Sequence, residues 1–286
     1  MIGRLATDFS VEKVCGVLSV SRSGFYAWKA GKTHHLNGHK AEVGQHIEQI
    51  FTEHRRRYGT RRIQAELKAL GFQVGRHQIR KCLREKGLKA IQPRSFVPKT
   101  THHNPALERS PNLLLERELP KAIDQVWVGD ITYIPLTDGR WLYLAVWMDL
   151  FSRRIVGWHL GRTLEAVIVI RSFEKALTWR QPAPGMLVHS DGGKQYQAQA
   201  FRTLLRPRGL EQSMTRVENH YDNSFIESLF SRFKAELLQG KAFTDYQQAH
   251  AAIFEYIEAY YNRKRRHSSI LYMSPEAFEK NQVKEL

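Results

Sequence analysis

The sequence predicts an α/β protein: a mixed five-stranded sheet, with an all-α region before it and a helical extension after it. Three observations carry that expectation. Near Asp124 the apolar pattern changes from helical spacing to strand-like runs. The elements that follow read in the order β-β-β-α-β-α-β-α, which describes a mixed sheet with helices on its faces. Charge is also uneven along the 286 residues, whose net charge is +16. Residues 1–123 hold 23 Lys and Arg against 10 Asp and Glu, whereas residues 124–286 hold 21 against 18. Positive charge concentrated in the first part attracts phosphate backbones.

Bulk properties exclude several classes. With 42% hydrophobic and 25% charged residues the chain is not expected to be disordered, and its length suggests about two domains. No apolar run approaches the roughly 20 residues of a membrane helix. Met1 to Ser10 lack the basic-then-apolar layout of a secretion signal. The expectation is a soluble, cytoplasmic protein with no membrane partner. Cys15 and Cys82 form no Cys-x-x-Cys motif and read as reduced packing residues rather than a disulfide or a zinc site. His34, His35 and His39 read as part of a polar linker.

Residues 1–90 read as a helix-turn-helix DNA-binding region of two units, about 10–30 and 58–88. In the first unit Val14, Val17 and Leu18 share a helix face, Ser19 to Ser21 turn, and Ser21 caps a helix carrying Phe25, Tyr26 and Trp28. In the second, Thr60 is the expected N-cap of a helix through Ile63, Leu67 and Leu70, closed by Gly71. Gly75 opens another helix, through Ile79, Cys82 and Leu83 to Gly87. Arg55, Arg56, Arg57, Arg61, Arg62, Arg76, Arg80, Lys81 and Arg84 flank this unit as candidate DNA contacts. Residues 91–123, interrupted by Pro93, Pro98, Pro105, Pro111 and Pro120, read as a basic linker.

Within 124–240 the expected strands are Gln125–Ile134, Trp141–Leu150, Arg154–Gly161, Met186–His189 and Leu210–Met214, the first three forming an antiparallel meander. Helices are expected at Leu164–Trp179, at Ala198–Leu205 and from an Asp222 cap through Leu238. This order matches the ribonuclease-H-like fold. Residues 241–286 read as a helix over about Tyr246–Tyr261 followed by a basic tail with Arg263, Lys264, Arg265 and Arg266.

Three carboxylates stand out. Asp130 interrupts the apolar strand Trp127-Val128-Gly129-Asp130-Ile131-Thr132-Tyr133, where a carboxylate is expensive unless paired or metal-bound. Asp191 follows the apolar run Leu187-Val188-His189 and precedes Gly192-Gly193, at a strand end where sheet proteins place active groups. Glu227 shares a helix face with Asn223 and Lys234. Each has a simpler explanation alone: an ion pair, a turn cap, a surface helix residue. A strand Asp, a strand-end Asp and a helix Glu with 35 residues between the last two form a rarer set. Asp149, beside Arg153 and Arg154, reads as a turn or ion-pair residue.

From Val128 to Lys234 the chain resembles the catalytic core of DDE transposases and retroviral integrases. More narrowly it resembles the OrfB-type transposases of the insertion-sequence-three family. The motifs are Ser21-Arg22-Ser23-Gly24-Phe25-Tyr26-Ala27-Trp28, Tyr58-Gly59-Thr60-Arg61-Arg62-Ile63, Asp130-Ile131-Thr132-Tyr133-Ile134, Asp149 through Trp158, His189-Ser190-Asp191, Gln195-Tyr196, Asp222-Asn223 with Glu227-Ser228, Tyr260-Tyr261-Asn262-Arg263, Arg266-His267-Ser268 and Ser274-Pro275-Glu276. They cover nearly the whole chain in order. Two departures are visible: Gly192 and Lys194 stand where this group more often has Arg and Ser, and Val217-Glu218-Asn219 replaces a more usual Gly-Asn pair.

The resemblance implies cleavage and strand transfer of double-stranded DNA, at insertion-sequence ends and into target DNA. It makes Asp130, Asp191 and Glu227 both catalytic residues and ligands of two Mg2+ ions, with Mn2+ substituting. The three should then converge within a few ångströms, and Lys234 should meet phosphate. It further implies a homo-oligomer, at least a dimer on DNA, and an upstream OrfA-type partner or fusion. Ser190 and Tyr196 are not expected to be nucleophiles. A ribonuclease-H-type nuclease and a non-catalytic DNA-binding regulator are the alternatives.

Overall fold

The computed structural model describes residues 9–31, 38–92, 109–216 and 223–284. The expected Asp222 cap, Val217-Glu218-Asn219, His34, His35, Pro93, Pro98 and Pro105 lie outside those residues. The chain divides into two compact units, Met1–Ala90 and Ile91–Leu286.

The first unit is helical. Helices α1 (Val11–Val17) and α2 (Arg22–Lys29) pair across the expected turn. Ser10 caps α1, and the Ser21 hydroxyl accepts from Gly24 N at 3.1 Å to cap α2. Val14, Cys15 and Phe25 are buried, but Val17 is 79% exposed, so the buried arc of α1 is narrower than its apolar spacing suggested. A helix absent from the sequence reading follows: α3 (Gly38–Glu53) takes in His39, read as linker from the sequence, and runs on through residues to which the sequence reading assigns no element. Its cause is visible in the spacing of Val43, Ile47, Ile50 and Phe51, all buried on one face. That face lets α3 pack on both α4 (Thr60–Ala69) and α5 (Arg76–Glu85). The N-cap of α4 is Gly59 rather than Thr60, which is already helical, and no side chain caps the helix. Gly71 and Gly87 adopt the left-handed backbone that ends α4 and α5.

The second unit holds a five-stranded sheet of order β3-β2-β1-β4-β5. Strands β1 (Val126–Pro135), β2 (Trp141–Asp149) and β3 (Ile155–Gly161) form the antiparallel meander. Strands β4 (Leu187–Ser190) and β5 (Glu211–Met214) add in parallel beyond β1. Helix α6 (Ala166–Trp179) packs on β2 and β3. Short α7 (Lys194–Gln197) and α8 (Gln199–Leu205) follow β4. One core cluster joins Trp127, Trp147, Phe173, Tyr196 and Phe201. Trp147 stacks on Phe201 with ring centroids 5.7 Å apart. Gly129 faces Trp147 across the β1–β2 ladder, and a Cβ at 129 would lie 2.4 Å from the Trp147 ring.

On β1 lies α9 (Ser224–Phe233), which continues as a π-helix over Lys234–Leu238. Helix α10 (Tyr246–Phe254) likewise continues as a π-helix over Glu255–Tyr261. A last helix, α11 (Pro275–Lys284), falls in the region read as a basic tail. It is tied to the sheet by Glu279, which accepts from Ser152 Oγ and Arg154 Nη1, each at 2.7 Å, and from Arg180. Among the described residues no helix is long and apolar enough to cross a membrane.

Candidate active site

Strand pairing places the first two carboxylates side by side. Gly129 pairs with Ser190 in the parallel β1–β4 ladder, so the next residues, Asp130 and Asp191, stand together where β4 ends. The Asp130 Oδ1 accepts from Ile131 N at 2.7 Å, and the Asp191 Oδ1 from Gly193 N at 3.1 Å. Both side chains are partly buried. Glu227 is exposed on α9, above β1. Burial pushes the Asp130 carboxyl well above the ordinary range. The Asp191 charge pushes it further, the Ile131 N–H opposes, and Glu227 adds to the rise before Lys234 opposes it again. One strand residue therefore feels both other carboxylates and the lysine. Burial also raises the Asp191 carboxyl, against the Gly193 N–H and Arg109.

The full convergence expected of the triad is not reached. Among the described residues no three His, Cys, Asp or Glu side chains stand close enough to hold one ion together. Like charges at this range repel, and Glu227, on an exposed helix face, has rotamers that the strand residues lack.

Arg109 is a site residue that the sequence reading left in the linker. Its guanidinium donates to Thr215 O and covers Gly192, where an added Cβ would meet it at 2.2–2.4 Å. The small residue at 192 thus leaves room for an arginine arriving from elsewhere in the chain. Nothing local in the sequence announced this contact.

Neighbouring residues behave as packing. Ser190 Oγ donates to Asp191 O at 3.0 Å. Tyr196 is buried against Trp147, and burial, Asp130 and Asp191 all raise its pKa. Asp149 is remote from the pair, at the far end of the β1–β2 ladder opposite Trp127. It is a turn residue, accepting from Ser152 N and Asp124 N, each at 2.7 Å, with Ser152 Oγ 2.9 Å away. Lys234 is half-buried and senses Asp130, while burial lowers its own basicity.

The candidate DNA contacts divide. Arg55, Arg56, Arg61, Arg76, Arg80, Lys81 and Arg84 are exposed, and Arg62 lies 5.5 Å over the Tyr58 ring. Arg57 is buried and does not offer its charge to solvent. In the tail, Arg263 and Lys264 are exposed, and Arg266 donates to Tyr272 O at 2.9 Å. Arg265 must be withdrawn: only 2% exposed, it forms a two-pronged pair with Glu236 at 2.9 and 2.7 Å. A buried guanidinium needs that carboxylate, so it faces inward.

Comparison with known proteins identifies the family. Residues 120–220 match the family Integrase core domain, residues 208–275 a second family of that description, and residues 39–96 the HTH-like domain. The transposase InsF for insertion sequence IS3A of Escherichia coli (strain K12) is 36% identical over 277 residues, 95% of this chain and 94% of that protein. The transposase for insertion sequence element IS904 of Lactococcus lactis is 38% identical over 238 residues, 83% of this chain and 93% of that protein. A simian T-cell lymphotropic virus intasome aligns with TM-score 0.46 and 14% identity, covering 76% of this chain and 70% of that one. The chain belongs to the IS3-type transposases of bacterial insertion sequences, polynucleotidyl transferases built on an integrase core.

Proposed function

We propose that this chain cuts and joins DNA at the ends of its own element, with Asp130, Asp191 and Glu227 as ligands of two Mg2+ or Mn2+ ions. The supporting observation is that Asp191, Glu227 and Lys234 all act electrostatically on Asp130. The donor set fits such ions, since it consists of carboxylate oxygens without thiolate or imidazole. Carboxyls raised by burial, and at Asp130 also by neighbouring carboxylates, gain most from a dication. Bound there, two ions would activate the attacking oxygen and stabilise the leaving one. Asp130, Asp191 and Glu227 would be the residues that hold them.

The chain's own groups supply the rest. Arg109 favours the ionised form of Asp191. Lys234 offers a cation to substrate phosphate. Neither Ser190 nor Tyr196 is presented as a nucleophile, so the attacking groups are water and then a DNA 3′-hydroxyl. The exposed arginines of α4 and α5 hold the DNA. Assembly on DNA as at least a dimer, with an upstream OrfA-type segment, belongs to the same proposal.

The test is an assay with the full chain, Mg2+ and the DNA that flanks its coding region. Cleavage followed by joining is expected. D130N, D191N and E227Q should each reduce both to background while DNA affinity stays near wild type. Cutting without joining would favour the nuclease alternative; binding alone would favour the regulator.

A further inference from the structure

Arg153 differs from the arginines beside it. Arg154 and Arg180 are both held by Glu279, and Arg180 also pairs with Asp124 at 3.1 Å. Among the described residues Arg153 forms no ion pair, and its Nε is buried without a hydrogen-bond partner there. Asp149, the carboxylate that acts on it electrostatically, already accepts from Ser152 N and Asp124 N, each at 2.7 Å. Burial lowers the basicity of Arg153, with Tyr261 and Asp149 only partly opposing.

Its backbone is unusual as well. Between β2 and β3, Arg153 has φ 63°, a left-handed conformation that disfavours any residue with a Cβ. Strain of this kind persists where the surrounding structure enforces it, and clusters at functional sites. The guanidinium lies 4.9 Å over the ring of Phe225, in the first turn of α9, two residues before Glu227. A planar cation with no carboxylate partner among the described residues, stacked on an aromatic at the positive end of a helix, is suited to an anion.

We propose that Arg153 binds a DNA phosphate and thereby holds the backbone beside the helix of Glu227. The assignment rests on the DNA-processing reading above. Arginine is the residue suited to the task because its fork meets two phosphate oxygens while its face stays on Phe225.

The test uses the full chain with R153G and R153N, both of which accept a left-handed backbone, and R153K, which keeps charge without the fork. Thermal midpoint, affinity for a labelled double-stranded oligonucleotide across salt concentrations, and KM and kcat for Mg2+-dependent joining are measured. R153G and R153N should keep or raise the midpoint, because strain is relieved. Their DNA affinity should fall several-fold, and the slope of log affinity against log salt should become shallower by about 0.9, the value for one lost phosphate contact. KM for DNA should rise more than kcat falls, and R153K should recover part of the salt slope. Wild-type affinity, slope and KM in R153G and R153N would overturn the assignment. So would unfolding of both, since it would make the arginine a structural requirement. A wild-type chain that neither binds nor joins DNA would bring down the functional reading, and this assignment with it.

Discussion

Burial, then the Asp191 charge and Glu227, hold the Asp130 carboxyl well above its ordinary value against the opposing Ile131 N–H. Between those two values the folded chain keeps a proton that the unfolded chain releases. Its contribution to stability is therefore greatest below the ordinary carboxyl pKa and is lost as pH rises through the window. In EDTA, D130N should raise the thermal midpoint at neutral pH and flatten its pH dependence, while ending catalysis. A mutant less stable than wild type under those conditions would contradict the crowding of charge. Mg2+ should raise the wild-type midpoint by linkage and leave D130N nearly unmoved. A second residue-scale case lies in the tail. Leu271 has φ 56° and is 76% exposed, so it bears left-handed strain without burying its side chain in return. Left-handed backbone costs about 1–2 kcal/mol for a residue with a Cβ, offset in part by the freer unfolded state of glycine. L271G should stabilise the chain by about 1 kcal/mol in urea titration, and any loss of stability would refute this.

The helix that carries Glu227 is anchored from its other end. Its π-helical continuation holds Glu236, which binds Arg265 through both oxygens and accepts from Tyr256 OH at 2.8 Å. Arg265 also meets His267 Nε2 at 2.9 Å. This network joins α9, α10 and the segment leading to α11. Removing one partner of a buried pair leaves an uncompensated charge, so E236A should cost about 3–5 kcal/mol. Replacing both by apolar residues, E236L with R265M, should cost much less. Denaturant midpoints decide between them, and a double mutant as unstable as E236A would argue against the pair. The same geometry separates the tail arginines. R263A and K264A should make the salt dependence of DNA binding shallower, whereas R265M should not.

At the scale of the molecule, the candidate DNA-binding arginines and the candidate catalytic carboxylates fall in different compact units. The first unit, Met1–Ala90, contains the exposed arginines of α4 and α5, and the second contains the three carboxylates. Residues 1–90 alone should bind the element's end DNA, with affinity falling steeply as salt rises, by about 0.9 in log slope per phosphate contact. Residues 124–286 should bind DNA weakly and without preference. Fluorescence anisotropy on end and scrambled duplexes checks this. End specificity in the second fragment would reverse the division.

Most of the sheet was legible because strands are local: apolar runs bounded by turn residues appear where the chain has them, and β1, β2 and β3 lie within a residue or so of their expected limits. The residue types of the candidate site were legible for the same reason, since a carboxylate in an apolar strand is conspicuous by itself. Helix α3 was also encoded, in Val43, Ile47, Ile50 and Phe51, but the polar His34–His39 run before it obscured the period. Only tertiary structure could decide the rest. The adjacency of Asp130 and Asp191 depends on Gly129 pairing with Ser190, and no local pattern fixes a parallel register. Four basic residues in a row look alike until Glu236, 29 positions before Arg265, draws that one inward. Arg109 over Gly192 and Arg153 over Phe225 are contacts of the same kind. Periodicity reports which face of an element is buried; which charge meets which partner is settled when distant elements pack, because burial without a partner is what the fold must avoid.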